Sequence, residues 1–319
     1  MQIPALSDLF SRTRQRAEWF AICINNNGVS FAHVKYSKSK PRVTACTFHP
    51  AENVTPAVLE KLRRDMRIAD FQFITLLDPG EYQMLLVEAP NVPVEELKTA
   101  IRWRIKDSLN YHIDDATVDV LQIPASKKGG VERPQSLYAI AASNETIKKR
   151  IALFEKAKID LKVIDIPEMA QRNIAALFEE DERGLALLSF NDNGGLLTVT
   201  LGGELYLARH IEITIGQLQD SNESLRQQYV ERLELELHRS LDYVGRQFSY
   251  LSVNRMLISA PEQLGLVKLL ASDLEVPVEQ LDLAQALDIS EVPELAGSEY
   301  AAHMLLPLGA ALRLERRVL

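Results

Sequence analysis

The sequence has little cysteine, no long apolar run and none of the short motifs that mark phosphate or metal chemistry. Cys23 and Cys46 fall in predicted strands and form no CxxC pair, which excludes a disulfide framework and reads as two small buried hydrophobes in a reducing compartment. Stretches such as Gly184 to Phe190 stop far short of the roughly 20 apolar residues that span a bilayer. The N-terminus lacks the apolar core of a secretory signal, so the expected location is cytoplasmic. No GxxxxGK[ST], GxGxxG or GxSxG occurs, which removes the P-loop, dinucleotide and α/β-hydrolase readings. His33, His49, His112, His210, His238 and His303 show no HExxH or other ligand spacing, so no metal is expected. With 36 basic against 44 acidic residues the net charge is −8, and no basic run is long enough to make nucleic acid a partner.

What is present suits two lobes, each with its own core: 319 residues, 46% hydrophobic and 25% charged. Residues 1–18 place Ile3, Leu6, Leu9 and Phe10 ahead of Arg12, Arg14 and Arg16. That pattern fits a loose terminus, or peripheral contact with an anionic membrane surface. Strands are predicted at Trp19 to Ile24, Val29 to Tyr36 and Arg42 to Phe48, then a helix opening at Thr55-Pro56. Phe71 to Leu77 and Gln83 to Val87 read as a hairpin around Asp78-Pro79-Gly80, and Pro93 opens a helix to about Tyr111. Strands Thr117 to Ile123 and Leu137 to Ala141 flank a polar loop, Ala125 to Gln135. A helix from Ser143 to Lys158, a strand from Leu161 to Ile166 and a helix from Pro167 to about Glu180 complete a β-α-β-α half.

The second half starts over. Leu185 to Phe190, Leu196 to Leu201 and Leu205 to Ile213 form another meander, and Leu225, Tyr229, Leu233, Leu237, Leu241, Val244 and Phe248 stripe a helix from about Ser221 to Phe248. Then follow strand Arg255 to Ser259, helix Leu264 to Leu274, strand Val278 to Leu281 and a helix at Ala301 to Arg313 interrupted by Pro307. Both halves break their first strand at nearly the same tetrapeptide, Asn25-Asn26-Asn27-Gly28 and Asn191-Asp192-Asn193-Gly194. This is the mark of a duplicated α/β domain whose first turns face each other across a cleft. The expected division is 1–18 as a terminal segment, 19–180 as the first lobe with a small subdomain inserted at about 71–141, and 181–319 as the second lobe.

The stretches Trp19–Ile24 (WFAICI), Pro90–Asp107 (PNVPVEELKTAIRWRIKD), Ala116–Val120 (ATVDV), Val163–Met169 (VIDIPEM), Gly203–Arg209 (GELYLAR) and Leu235–Tyr243 (LELHRSLDY) together carry a resemblance. In them the chain is similar to the PilM-like proteins of type IV pilus assembly, and within these to the MSHA-pilus biogenesis branch. The resemblance implies a duplicated actin-like (ribonuclease H-like) α/β fold, two lobes around a central cleft. It also implies a scaffold at the inner membrane that binds the short N-terminal cytoplasmic segment of a PilN-like protein. ATP-using members carry an acid and a glycine at each first turn. Here the first turn offers Asn25, Asn27 and Gly28, and the second Asn191, Asp192, Asn193 and Gly194, with Asp192 the single carboxylate. Ser259 to Gly265 lacks the Gly-Gly pair of an adenosine site.

Asn-Gly is equally the chemistry of a tight hairpin turn. The turns are therefore expected to be hairpin tips that no longer need ATP or magnesium, and hydrolysis is not expected. The alternative is an ATP-binding actin-like protein whose nucleotide state gates its partners. On the helix opened by Pro93, Trp103 lies 180° from the apolar stripe of Val94, Leu97, Ile101, Ile105 and Leu109. Flanked by Arg102, Arg104 and Lys106, with Tyr111 beyond, it offers an anchor for an acidic peptide bearing an aliphatic residue, unless another subdomain covers it.

Overall fold

The computed structural model of the chain describes residues 18–37, 39–68, 71–124, 135–191 and 193–313. The expectations placed on residues 1–17, on loop 125–134 and on Asp192 fall outside the described residues. The chain opens with three antiparallel strands, β1 (Trp19–Asn25), β2 (Gly28–Lys35) and β3 (Arg42–Pro50). Helix α1 (Pro56–Asp65) starts where Thr55 caps the Val58 amide and Pro56 supplies a ready-made helical φ. Strand β4 (Gln72–Leu76) then returns parallel to β1.

Here one expectation fails. The Asp78-Pro79-Gly80 bend does not fold β4 back on its neighbour; it carries the chain out of the sheet and into a separate one. That sheet is built from β5 (Tyr82–Glu88), β6 (Ala116–Gln122) and β7 (Ser136–Ser143), in the order β5-β7-β6. The inserted sheet thus begins at Tyr82, not at 71. Between β5 and β6 lies α2 (Val94–Ile105), which lays Leu97, Ile101 and Ile105 on Leu137, Ala139 and Ala141 of the sheet. It ends well before Tyr111, because residues 106–108 tighten into a 3-10 turn and Leu109 is extended.

Helix α3 (Asn144–Lys156) leads to β8 (Leu161–Asp165), which pairs parallel with β4 and closes a sheet of order β3-β2-β1-β4-β8. Helix α4 (Pro167–Ala175) stops five residues short of expectation, since Leu177 and Phe178 donate to Ile174 and Ala175 and wind the end into i→i+3 turns.

The second lobe repeats the plan. Strands β9 (Gly184–Asn191), β10 (Gly194–Leu201) and β11 (Glu204–Ile211) form the meander, the short α5 (Ile215–Leu218) follows, and α6 (Glu223–Gln247) buries Val230, Leu233, Leu237 and Val244. Strand β12 (Val253–Ser259), helix α7 (Leu266–Ala271), strand β13 (Val278–Gln280) and helix α8 (Ser298–Ala311) complete the chain. The second sheet runs β11-β10-β9-β12-β13, the order of the first repeated term by term. Helix α8 runs straight through Pro307, against expectation. Beyond its first turn it is apolar except at the exposed His303 and lies between the two sheets, so packing outweighs the amide that proline removes.

The core follows from this layout. Strand β1 is buried on both faces: Phe20 and Ile22 meet Leu59 of α1 and Phe154 of α3, while Trp19 and Ala21 face α4 and α8. On the other side of α4 and α8 lie Leu185, Leu187 and Leu257 of the second sheet. Two helices are thus shared by two sheets. Gly309 of α8 sits so near Ala170 of α4 that a Cβ on it would lie 2.1 Å from the Ala170 carbonyl oxygen. The inserted sheet leans on the second lobe through Tyr138, whose hydroxyl donates to the Tyr206 carbonyl and accepts the Ala208 amide of the outer strand β11, both at 3.3 Å.

Candidate functional site

The two repeated tetrapeptides form the same object twice. In each, the register leaves two residues between paired strand ends, Asn25 with Gly28 and Asn191 with Gly194. In each, the first asparagine folds over its own turn: Asn25 Oδ1 accepts the Asn27 amide at 3.0 Å and Asn191 Oδ1 the Asn193 amide at 2.8 Å. The glycines answer to the third strand. A Cβ would fall 2.2 Å from the His49 carbonyl at Gly28 and 2.6 Å from the Ile211 carbonyl at Gly194. Asn25, Asn27, Gly28, Asn191, Asn193 and Gly194 thus all take part in the strand pairing or in the turn's own hydrogen bond.

Ligands of open α/β sheets gather at the carboxyl ends of parallel strands. In the first lobe that edge holds Cys23 of β1 and Asp78 after β4. Arg150 of α3, almost fully buried, reaches in from below: Nη1 donates to the Leu76 carbonyl at 3.0 Å and Nη2 to Glu81 at 2.5 Å, with Asp78 at 3.9 Å. Burial pushes the Cys23 thiol up to about 12, so it is no thiolate at neutral pH. Burial also raises the Asp78 carboxyl to about 6, the Arg150 charge opposing it. A carboxyl raised in the folded state favours folding below its unfolded value near 4 and loses that advantage as pH climbs through 6. Asp78→Asn is therefore expected to raise the unfolding midpoint above pH 6 and to leave it unchanged below pH 4. The gain is about 1 kcal/mol at most, because 40% of the side chain faces water. Thermal melts across pH check it.

Behind these tips, α4 carries polar side chains where an apolar helix face would be expected. Glu168, fully buried, accepts from the Tyr82 hydroxyl of the inserted sheet at 2.8 and 2.9 Å and meets His210 Nε2 of β11 at 2.8 Å. Gln171 donates to the carbonyls of Leu187 and Leu196 and to Thr198, and accepts from Ser189 at 2.5 Å. Asn173 donates to the Gly309 carbonyl at 2.8 Å, and Arg313 pairs with Asp165. These bonds join the first lobe, the inserted sheet and the second lobe at one place.

The outer face of α2 is of a different kind. Trp103 is 67% exposed, and among the described residues no other subdomain covers it. Lys106 Nζ lies 5.7 Å from its ring centroid. Arg102 departs from the expected free cation: its guanidinium donates to the carbonyls of Ala116 and Ile113 at 2.8 and 2.7 Å, fastening the helix to the start of β6. Arg104 likewise donates to the Glu88 carbonyl. The arginines shape this face, and Lys106 is the exposed charge beside the indole. Tyr111 is half-buried, its hydroxyl enclosed without a partner among the described residues and its pKa pushed up by burial. Among the described residues no group of three or more His, Cys, Asp or Glu side chains could hold a metal ion, and no helix is long and apolar enough to cross a membrane.

No protein-family description matches the chain, and no curated protein does. Solved structures do. A chain of a PilM-PilN type IV pilus biogenesis complex superposes with a TM-score of 0.73 at 19% identity, covering 93% of this chain and 98% of the other. The cytoplasmic domain of EpsL, an inner membrane component of the type II secretion system of Vibrio cholerae, reaches 0.46 at 13% identity, over 77% of this chain and 83% of that domain. A Bacteroides thetaiotaomicron protein with an actin-like ATPase fold and unknown function reaches 0.47 at 11% identity, over 88% and 96%. The repeated sheet order and the near-complete overlap with the pilus protein lead to one conclusion: the chain has the duplicated two-lobe actin-like α/β fold.

Proposed function

We propose that the chain is a non-catalytic, cytoplasmic scaffold of type IV pilus assembly, of the MSHA-pilus class, that works at the inner membrane by docking the N-terminal cytoplasmic segment of a PilN-like protein. The observation that carries this reading is Trp103, a largely exposed indole with a cation beside it on a helix braced by Arg102 and Arg104. A large aromatic left in water costs solvation that a bound segment would recover. The superposed pilus chain comes from a complex with a partner of the proposed kind, which supports the choice of ligand. In this reading the hairpin tips act as turns and take neither ATP nor magnesium.

The two tryptophans make the test direct. Trp19 is 2% exposed and gives a constant signal, so a shift of emission to shorter wavelength on adding the segment reports Trp103 alone. Trp103→Ala is expected to weaken binding by roughly tenfold or more, a cost of about 1.4 kcal/mol or above. Its unfolding midpoint should not move. Equal affinity in the variant would remove α2 as the docking face, and phosphate release from Mg-ATP above the blank would favour the nucleotide-gated alternative.

A further inference from the structure

We infer that the end of the first lobe where the parallel strands begin is a surface for anionic membrane lipid. The parallel pairings set Trp19 level with Gln72 and Phe73 level with Leu161, so the starts of β1, β4 and β8 lie at one end of the sheet. Helices α1 and α3 run back to that same end. Around their last turns, residues 60–68 and 155–162 hold seven basic and four acidic side chains, a local excess of +3 on a chain of net −8.

Two of those acids are already engaged, Glu60 by Lys158 at 2.7 Å and Asp160 by Lys162 at 2.6 Å. Lys61, Arg64, Arg67 and Lys156 are exposed, and none has an ion pair among the described residues. The Glu60–Lys158 pair also ties α1 to the end of α3, which makes the two clusters one face.

The helix ends strengthen the case. Both close on a left-handed residue, Arg67 with φ 55° and Lys158 with φ 60°, each followed by an isoleucine amide that reaches back to the helix, Ile68 to Arg63 and Ile159 to Phe154. Glycine or asparagine serves that position without strain. The helix dipole welcomes a cation in the last turn, but it does not call for one at the strained residue. Two long basic side chains held there project outward at the same end of the lobe.

Basic groups facing one way, with little fixed geometry for a small ligand, match a sheet of anionic headgroups. An acidic protein would need matched pairs. The inference stands apart from the docking of a partner on α2, and its failure would leave that reading untouched.

Vesicle co-sedimentation of the full chain tests it. Binding is expected to vesicles of mixed phosphatidylglycerol and phosphatidylcholine and not to phosphatidylcholine alone, and to fall about tenfold as salt rises from about 0.05 to 0.3 M. The triple variant Lys61→Glu, Arg64→Glu, Lys156→Glu should lose at least about tenfold in binding with an unchanged unfolding midpoint. If that variant is unstable, the same three positions changed to Gln take its place. Absence of binding by the parent chain, equal binding to both vesicle types, or full binding by the variant with loss confined to an Arg12, Arg14, Arg16→Gln chain overturns the inference. Capture of an acidic protein by the same face without vesicle binding overturns it as well.

Discussion

Gly309→Ala is expected to lower the midpoint of thermal unfolding by about 6 °C or more. The added methyl would lie 2.1 Å from the Ala170 carbonyl oxygen and 2.6 Å from its carbon, atoms of a helix backbone and not the tip of a flexible side chain. Nothing there can give way unless α4 and α8 move apart. Separating them disturbs both sheets, since Ile174, Leu305 and Leu308 fill the space between strands β1, β4 and β9. Overpacking of a core costs about 3 kcal/mol at the upper end of its usual range, and about 2 °C of midpoint goes with each kcal/mol in a chain of this size class. Calorimetry checks the value. A midpoint within about 1 °C of the parent would mean that the helices slide past each other freely.

The second large effect is expected at Glu168. Glu168→Ala removes the partner of the buried Tyr82 hydroxyl and of His210 Nε2, whose side chain is 45% exposed and open to water. The orphaned tyrosine hydroxyl costs roughly 1–3 kcal/mol, while the exposed histidine can turn to water, so a loss of about 2 kcal/mol is expected in denaturant unfolding. Tyr82→Phe and His210→Ala should each cost less, and each should become nearly silent in the Glu168→Ala background. Additive losses would show three separate contacts where the structure shows one shared carboxylate.

Why Glu168 escaped sequence reading is instructive. An acid in the first turn of a helix behind a proline is an ordinary complement to the helix dipole. What distinguishes it are partners 86 and 42 residues away, which no local pattern encodes. Other features were plain. The repeat of the asparagine-rich turns and the two meanders follow from turn chemistry and periodicity, and the duplicated sheet order agrees with them; on α6 the stripe holds at Leu233, Leu237 and Val244, whereas Leu225 is 40% exposed and Val230, off the stripe, is buried. The hairpin expected over residues 71–87 failed because Asp78-Pro79-Gly80 specifies a change of direction and not the strand that receives the chain. Pro307 misled for the opposite reason: a local rule was outweighed by enclosure between two sheets. On α2 the position of Trp103 opposite the stripe was legible from spacing alone, whereas the anchoring of Arg102 to Ala116 depended on a segment whose path spacing does not fix.

The hydroxyl of Tyr138 has a consequence for how copies of this protein can meet. An outer strand is an open template that invites another chain to extend the sheet, a common route to unwanted aggregation. On β11 the Tyr206 carbonyl and the Ala208 amide are already taken by that one side chain. Continuous sheet growth from copy to copy is thus blocked at that point, and any self-association there must proceed through side-chain surfaces.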